Sequence, residues 1–158
     1  MPFFLKLVLE VAAILAAVRV FHFFRARAMH RLAAKWGFQY LGPTAPLQWW
    51  FIPSHPLIPA SLPGQLSRLG VSQAWNILEG KNKGSSIFIF DGILGSYKGR
   101  PYTYIACQTE ESPFPIPTSG EPVEQMRGWT VLHGVSFGLL SWFMTIRRLD
   151  RHIDYILN

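Results

Sequence analysis

Residues 3–24 read FFLKLVLEVAAILAAVRVFHFF. As a helix, this stretch of 22 residues rises about 33 Å, enough to cross a hydrocarbon core of about 30 Å. Lys6, Glu10 and Arg19 interrupt it. Lys6 and Arg19 lie towards its two ends, where long side chains snorkel to the headgroups. Glu10 is deeper and four residues from Lys6, so the two can pair on one helical face. A polar group on a partner helix is the other destination open to Glu10. Ala12, Ala13, Ala16 and Ala17 form two small-xxx-small pairs that permit close helix approach.

The flanks predict how such a helix is used. Only Lys6 precedes most of the apolar run, and no small-x-small cleavage site leads into a polar start, so the sequence predicts an uncleaved anchor. Arg25, Arg27, Arg31 and Lys35 follow it, which by the positive-inside rule places the N-terminus outside and the remainder in the cytoplasm. These four cations would also attract anionic headgroups. The helix is expected to run on through Ala28–Trp36 and to stop at Gly37. His22, near the cytoplasmic end, could ligate a tetrapyrrole metal or simply sit at the interface.

Charge elsewhere is balanced. Residues 1–37 carry six Lys or Arg and one Glu, while residues 38–158 carry nine basic and eight acidic side chains. The net charge of +6 therefore belongs to the flank of the apolar run, and no separate basic patch of the kind nucleic acid requires is left. A hydrophobic share of 49% and an aromatic share of 15% suit an anchor joined to a domain with a protein-facing surface. The single cysteine, Cys107, excludes an intrachain disulfide and fits a reducing compartment.

Beyond the anchor the texture changes. Six prolines between Pro43 and Pro63 break regular structure, so residues 38–73 are expected to be irregular. Trp49, Trp50 and Phe51 lie among them. Side chains so apolar need cover from the protein's own core, the membrane interface or a partner. Ala74–Glu79 and Ser86–Asp91 read as a hairpin about a glycine-rich turn, and Tyr102–Thr109 as a third strand. Trp129–Met144 is too short and too broken for a second span and reads as buried strand. Ile146–Leu157 reads as a helix capped by Thr145, with Ile146, Leu149, Ile153 and Ile156 on one face. The predicted fold class is thus α+β. A single transmembrane helix (1–37) is followed by the Pro/Trp-rich segment (38–73) and a small antiparallel β-meander domain with a C-terminal amphipathic helix (74–158).

The run Trp75-Asn76-Ile77-Leu78-Glu79-Gly80, then Gly84, then Ile89-Phe90-Asp91 resembles a group of uncharacterised bacterial membrane-anchored proteins with a small β-rich domain. The resemblance covers about the middle third of the chain and implies an architecture but no activity.

Chemistry is sparsely signalled. The five histidines lack metal-ligand spacing, and no phosphate-loop, dinucleotide or nucleophile-elbow motif is present. A thiol enzyme would need Cys107 beside His133 with Asp91 as orienting acid. The expectation is a non-catalytic accessory subunit of a larger inner-membrane complex, respiratory or photosynthetic in kind. It would brace integral membrane subunits from the cytoplasmic side, using Glu10, the four alanines, the basic flank and Trp49–Phe51 as contacts. No cofactor is demanded, and a peripheral pigment or lipid is the candidate companion. A free-standing membrane-anchored sensor or lipid-binding module and a thiol-dependent enzyme are the alternatives.

Overall fold

The computed structural model describes residues 3–41, 64–82, 84–94, 102–108, 123–126, 128–134 and 145–157. Helix α1 (Phe3–Trp36) leads into β1 (Gln39–Tyr40), a short helix α2 (Gly64–Arg68), strands β2 (Val71–Asn82), β3 (Ser85–Leu94), β4 (Tyr102–Gln108), β5 (Val123–Met126) and β6 (Trp129–His133), and helix α3 (Ile146–Leu157). The fold is α+β: a long N-terminal helix, one antiparallel sheet and a C-terminal helix. The sheet order is β1-β2-β3-β4-β6-β5. The expected three-strand meander is β2-β3-β4; β6 then pairs with β4, leaving β5 at the edge.

Both faces of the sheet are buried. The run SIFIFD in β3 is almost continuously apolar, as strands covered on both sides are. One face presents Leu78, Ile87, Ile89, Ile105, Cys107 and Leu132 to the C-terminal half of α1 and to α3. The other presents Phe88, Phe90, Tyr104, Ala106, Trp129 and Val131, joined by Leu66 and Leu69. The C-terminal half of α1 is therefore not a bare extension of an anchor, as a boundary at residue 37 implied. Met29, Leu32 and Ala33 belong to the β-domain's core.

The predicted helix ends are present. Gly37 takes φ +68° and the Phe38 amide donates to the Ala33 carbonyl at 2.9 Å, the six-to-one bond of a glycine-terminated helix. Thr145 caps α3, accepting the Arg148 amide at 3.3 Å. Leu149, Ile153 and Ile156 are buried, with His152 beside them. Segment 38–73 departs from its expected irregularity where prolines are absent: Gln39–Tyr40 pairs with β2, and Gly64–Arg68 is helical. Trp49, Trp50, Phe51 and the residues following Gly134 in the expected buried run lie outside the described residues.

The N-terminal half of α1 stands apart from this core. Phe3, Leu7, Val11, Ile14, Val20 and Phe24 are all exposed. Among the described residues no helix is long and apolar enough to cross a membrane; in α1 the apolar run carries Lys6, Glu10 and Arg19.

Gly80 closes the β2 side of the core. A Cβ there would be driven into the Phe38 ring, which packs against the bare backbone. Gly80→Ala should cost about 1–3 kcal/mol, the range for overpacking a filled core, in a urea titration of the full chain. The loss should shrink in a Phe38→Leu background, and equal losses in both backgrounds would mean the ring contact is not its cause.

Candidate functional site at the helix–sheet junction

The most polar buried arrangement in the described structure lies where α1 meets the sheet. Arg25 was expected at a headgroup surface. Instead its guanidinium is buried beneath the helix against Asp91 of β3, whose carboxylate is 0% exposed. Arg25 Nε donates to Asp91 Oδ2 at 2.6 Å and Nη2 to Oδ1 at 2.7 Å, a two-pronged match of planar groups. Nη2 also donates to Thr103 Oγ1 at 2.8 Å. The Thr103 hydroxyl in turn donates to Asp91 Oδ1 at 2.8 Å, and Asn76 Nδ2 donates to Oδ2 at 2.9 Å. The carboxylate thus accepts four hydrogen bonds, which fills its lone-pair sites.

Local sequence explains why these groups converge. Asp91 and Thr103 are register partners on neighbouring strands and share the face towards α1. Asn76 sits in an irregularity of β2 between Trp75 and Leu78, with φ +51°. Asn tolerates that left-handed conformation better than most side chains. Turned this way it spans the cluster, accepting the Tyr40 hydroxyl at 3.1 Å while donating to Asp91. Burial, and next the Asp91 charge, push the Tyr40 phenol up to about 12, so it remains a donor at neutral pH. The residues Asn76, Leu78, Gly80 and Asp91 that carry the sequence resemblance therefore have structural duties: a hydrogen bond to the carboxylate, core, space for Phe38, and ion pair.

A second tether closes the far end of α1. Lys35 Nζ lies 2.7 Å from both carboxylate oxygens of Asp150 in α3, and Trp36 Nε1 donates to Oδ1 at 2.7 Å. The Lys35 and then the Trp36 hydrogen bond hold the Asp150 carboxyl below its ordinary range. Lys35, like Arg25, is thus satisfied within the chain. Arg27 and Arg31 are exposed on α1, as are Ala12, Ala13, Ala16 and Ala17. Glu10 lies 3.9 Å from Lys6. His22 stands edge-on to Phe21 and to Trp75 of β2, with ring centroids 5.3 and 6.5 Å away, so its half-buried imidazole lies at the junction of α1 and the sheet.

The thiol constellation does not assemble. Cys107 pairs with Thr130 and faces α1 and α3, whereas His133 pairs with Tyr104 and packs at a tilt against the Tyr102 and Tyr104 rings on the opposite face. Asp91 shares the face of Cys107 but is committed to Arg25. Burial alone pushes the thiol up to about 12, the reverse of what a nucleophile requires. Among the described residues, no group of three or more His, Cys, Asp or Glu is placed to hold a metal.

The partners of Arg25 escape prediction because they lie 66 and 78 residues away in the chain. One signal does point to Asp91: a carboxylate closing an apolar strand run must be paired if it is buried. Arg25 falls in phase with Met29, Leu32 and Trp36 on the helical wheel, so it is the cation that meets it.

Asp91→Asn leaves Arg25 buried without a countercharge and should cost about 3–5 kcal/mol in chemical denaturation. Arg25→Met with Asp91→Leu should recover most of that loss; equal losses would show that shape, not charge, holds the junction. The Cys107 thiol stays neutral in the fold and ionises in the unfolded chain from about pH 8.5. Its contribution is complete below that pH and lost as pH rises towards about 12. The difference in stability between wild type and Cys107→Ala should therefore change by up to about 1.4 kcal/mol per pH unit above pH 8.5, and a flat difference would refute thiol burial.

Comparison with protein-family models, curated proteins and solved structures finds no match to this chain.

Proposed function

We propose that the chain is a non-catalytic accessory subunit of a larger membrane complex. The N-terminal half of α1 lies in the membrane among partner helices, and the β-domain braces the assembly from the cytoplasmic side. One observation carries the reading: α1 is a continuous helix whose first half leaves its apolar side chains exposed, while its second half sends one face, Arg25, Met29, Leu32 and Ala33, into the core. So many exposed apolar side chains on one helix mark a surface that lipid or protein covers.

The charges in that half favour protein neighbours. Lys6 can reach an interface, and its pairing with Glu10 at 3.9 Å reduces the cost of the carboxylate. Arg19 and the Glu10 oxygens still leave polar groups that a neighbouring helix would satisfy better than hydrocarbon. The Arg-rich flank orients the domain to the cytoplasm. A free-standing lipid-binding module is the second reading, supported by the aromatic residues at the helix base, Phe23 and Phe24, which are exposed.

Membranes washed at alkaline pH should retain the chain, and extraction in mild detergent followed by mass spectrometry should recover stoichiometric integral membrane partners. Release by the alkaline wash would overturn the membrane placement. A lone monomer after gentle extraction would overturn the subunit reading and leave the free-standing module.

A further inference from the structure

The two tethers of α1 divide its basic flank in a way the sequence alone does not reveal. Arg25 is spent on Asp91 and Lys35 on Asp150. Arg27 and Arg31 remain exposed, and among the described residues no ion pair engages them. They stand four residues apart, so two like charges lie one turn from each other, an arrangement that costs a few tenths of a kcal/mol in an isolated helix unless an anion answers it.

Their placement follows from the clasp. The Arg25–Asp91 pair and the burial of Met29 fix which side of α1 meets the sheet. At about 100° per residue, Arg27 and Arg31 lie about 200° round from Arg25 and Met29, on the side turned away from the sheet. Along the axis they sit about 4.5 and 10.5 Å beyond Phe24; the polar layer of a bilayer extends about 5–7 Å past the hydrocarbon, so the Arg27 backbone falls within it and the Arg31 backbone a few ångströms beyond, within reach of a long side chain. Helical side chains lean towards the N-terminus, so with the N-terminal half in the membrane both guanidiniums lean back towards the headgroups.

We propose that Arg27 and Arg31 form a phosphate-binding pair for anionic lipid headgroups on the face of α1 opposite the sheet. The proposal rests on the membrane placement of α1 given above. Guanidinium suits this task because its fork matches phosphate oxygens two at a time. An acidic protein partner fits the axial position less well, because the lean of both side chains directs them at the bilayer and not across it.

The test uses the full chain, reconstituted in an equal mixture of phosphatidylcholine and phosphatidylglycerol, extracted in mild detergent and analysed by native mass spectrometry for retained lipid. Wild type should retain phosphatidylglycerol in preference to phosphatidylcholine. Arg27→Gln and Arg31→Gln should each lower that preference about fivefold, and the double variant further. Arg147→Gln with Arg151→Gln, on α3, should leave it unchanged. Thermal unfolding of each variant checks the fold, and Arg27→Lys with Arg31→Lys, which keeps the charges but not the fork, should fall between wild type and the double Gln variant. No phosphatidylglycerol preference in wild type, or an undiminished one in a folded double Gln variant, would overturn the proposal. Alkaline washing separates the two readings: a chain that is retained but shows no lipid preference refutes only the arginine pair, whereas a chain that is released refutes the membrane placement as well.

Discussion

The Arg25–Asp91 ion pair is the constraint on which the arrangement of this chain depends. Its distances of 2.6 and 2.7 Å, its burial, and the answering bonds from Thr103 and Asn76 make every alternative position of α1 costly. A buried pair adds little net stability over a well-packed apolar substitute. It strongly penalises any arrangement in which one partner loses the other, because an unpaired charge is then left in the interior. Sliding α1 by one turn, or rotating it by one residue, would do that. Met29, Leu32 and Ala33 consequently enter the core in one register, and the apolar N-terminal half projects from the sheet in one direction.

The sheet is built to receive this helix. β3 is buried on both faces, and its alternation sends Ile87, Ile89 and Asp91 to the α1 side while Phe88 and Phe90 go to the other. Asp91 is thus a charged member of a largely apolar face, tolerable only because Arg25 arrives from above. The left-handed Asn76 and the bare Gly80 on β2 serve the same contact, one by turning an amide to the carboxylate and the other by admitting the Phe38 ring. The period of two along a strand also separates Cys107 from His133. Chemistry that three residue types might suggest is cancelled by the parity of their positions.

Charge is allotted with similar economy. Of the four basic residues after the apolar run, two are engaged by carboxylates of the domain, one at each end of the packed half of α1. The pair left exposed faces away from the sheet. A flank that looks uniform in sequence therefore divides into cations paired with carboxylates of the domain and cations exposed on the other side of α1.

The sequence by itself determined the elements. The glycine after Trp36, the Thr145 cap and the spacing of Leu149, Ile153 and Ile156 are local signals, set by backbone hydrogen bonding and helical period, and each is where it was expected. The β2–β3 hairpin and β4 follow from apolar runs separated by turns. β1, β5 and α2 were not legible, because elements of two to five residues carry too little periodicity and exist only by pairing with or packing on longer neighbours. The N-terminal run was legible as an apolar helix with a basic flank. Which of its cations face outwards was decided by the tertiary structure alone. Asp91, Thr103 and Asn76 approach Arg25 from strands 51 to 78 residues away in the chain, and whether a charged side chain is surface or core depends on which partner folding brings to it.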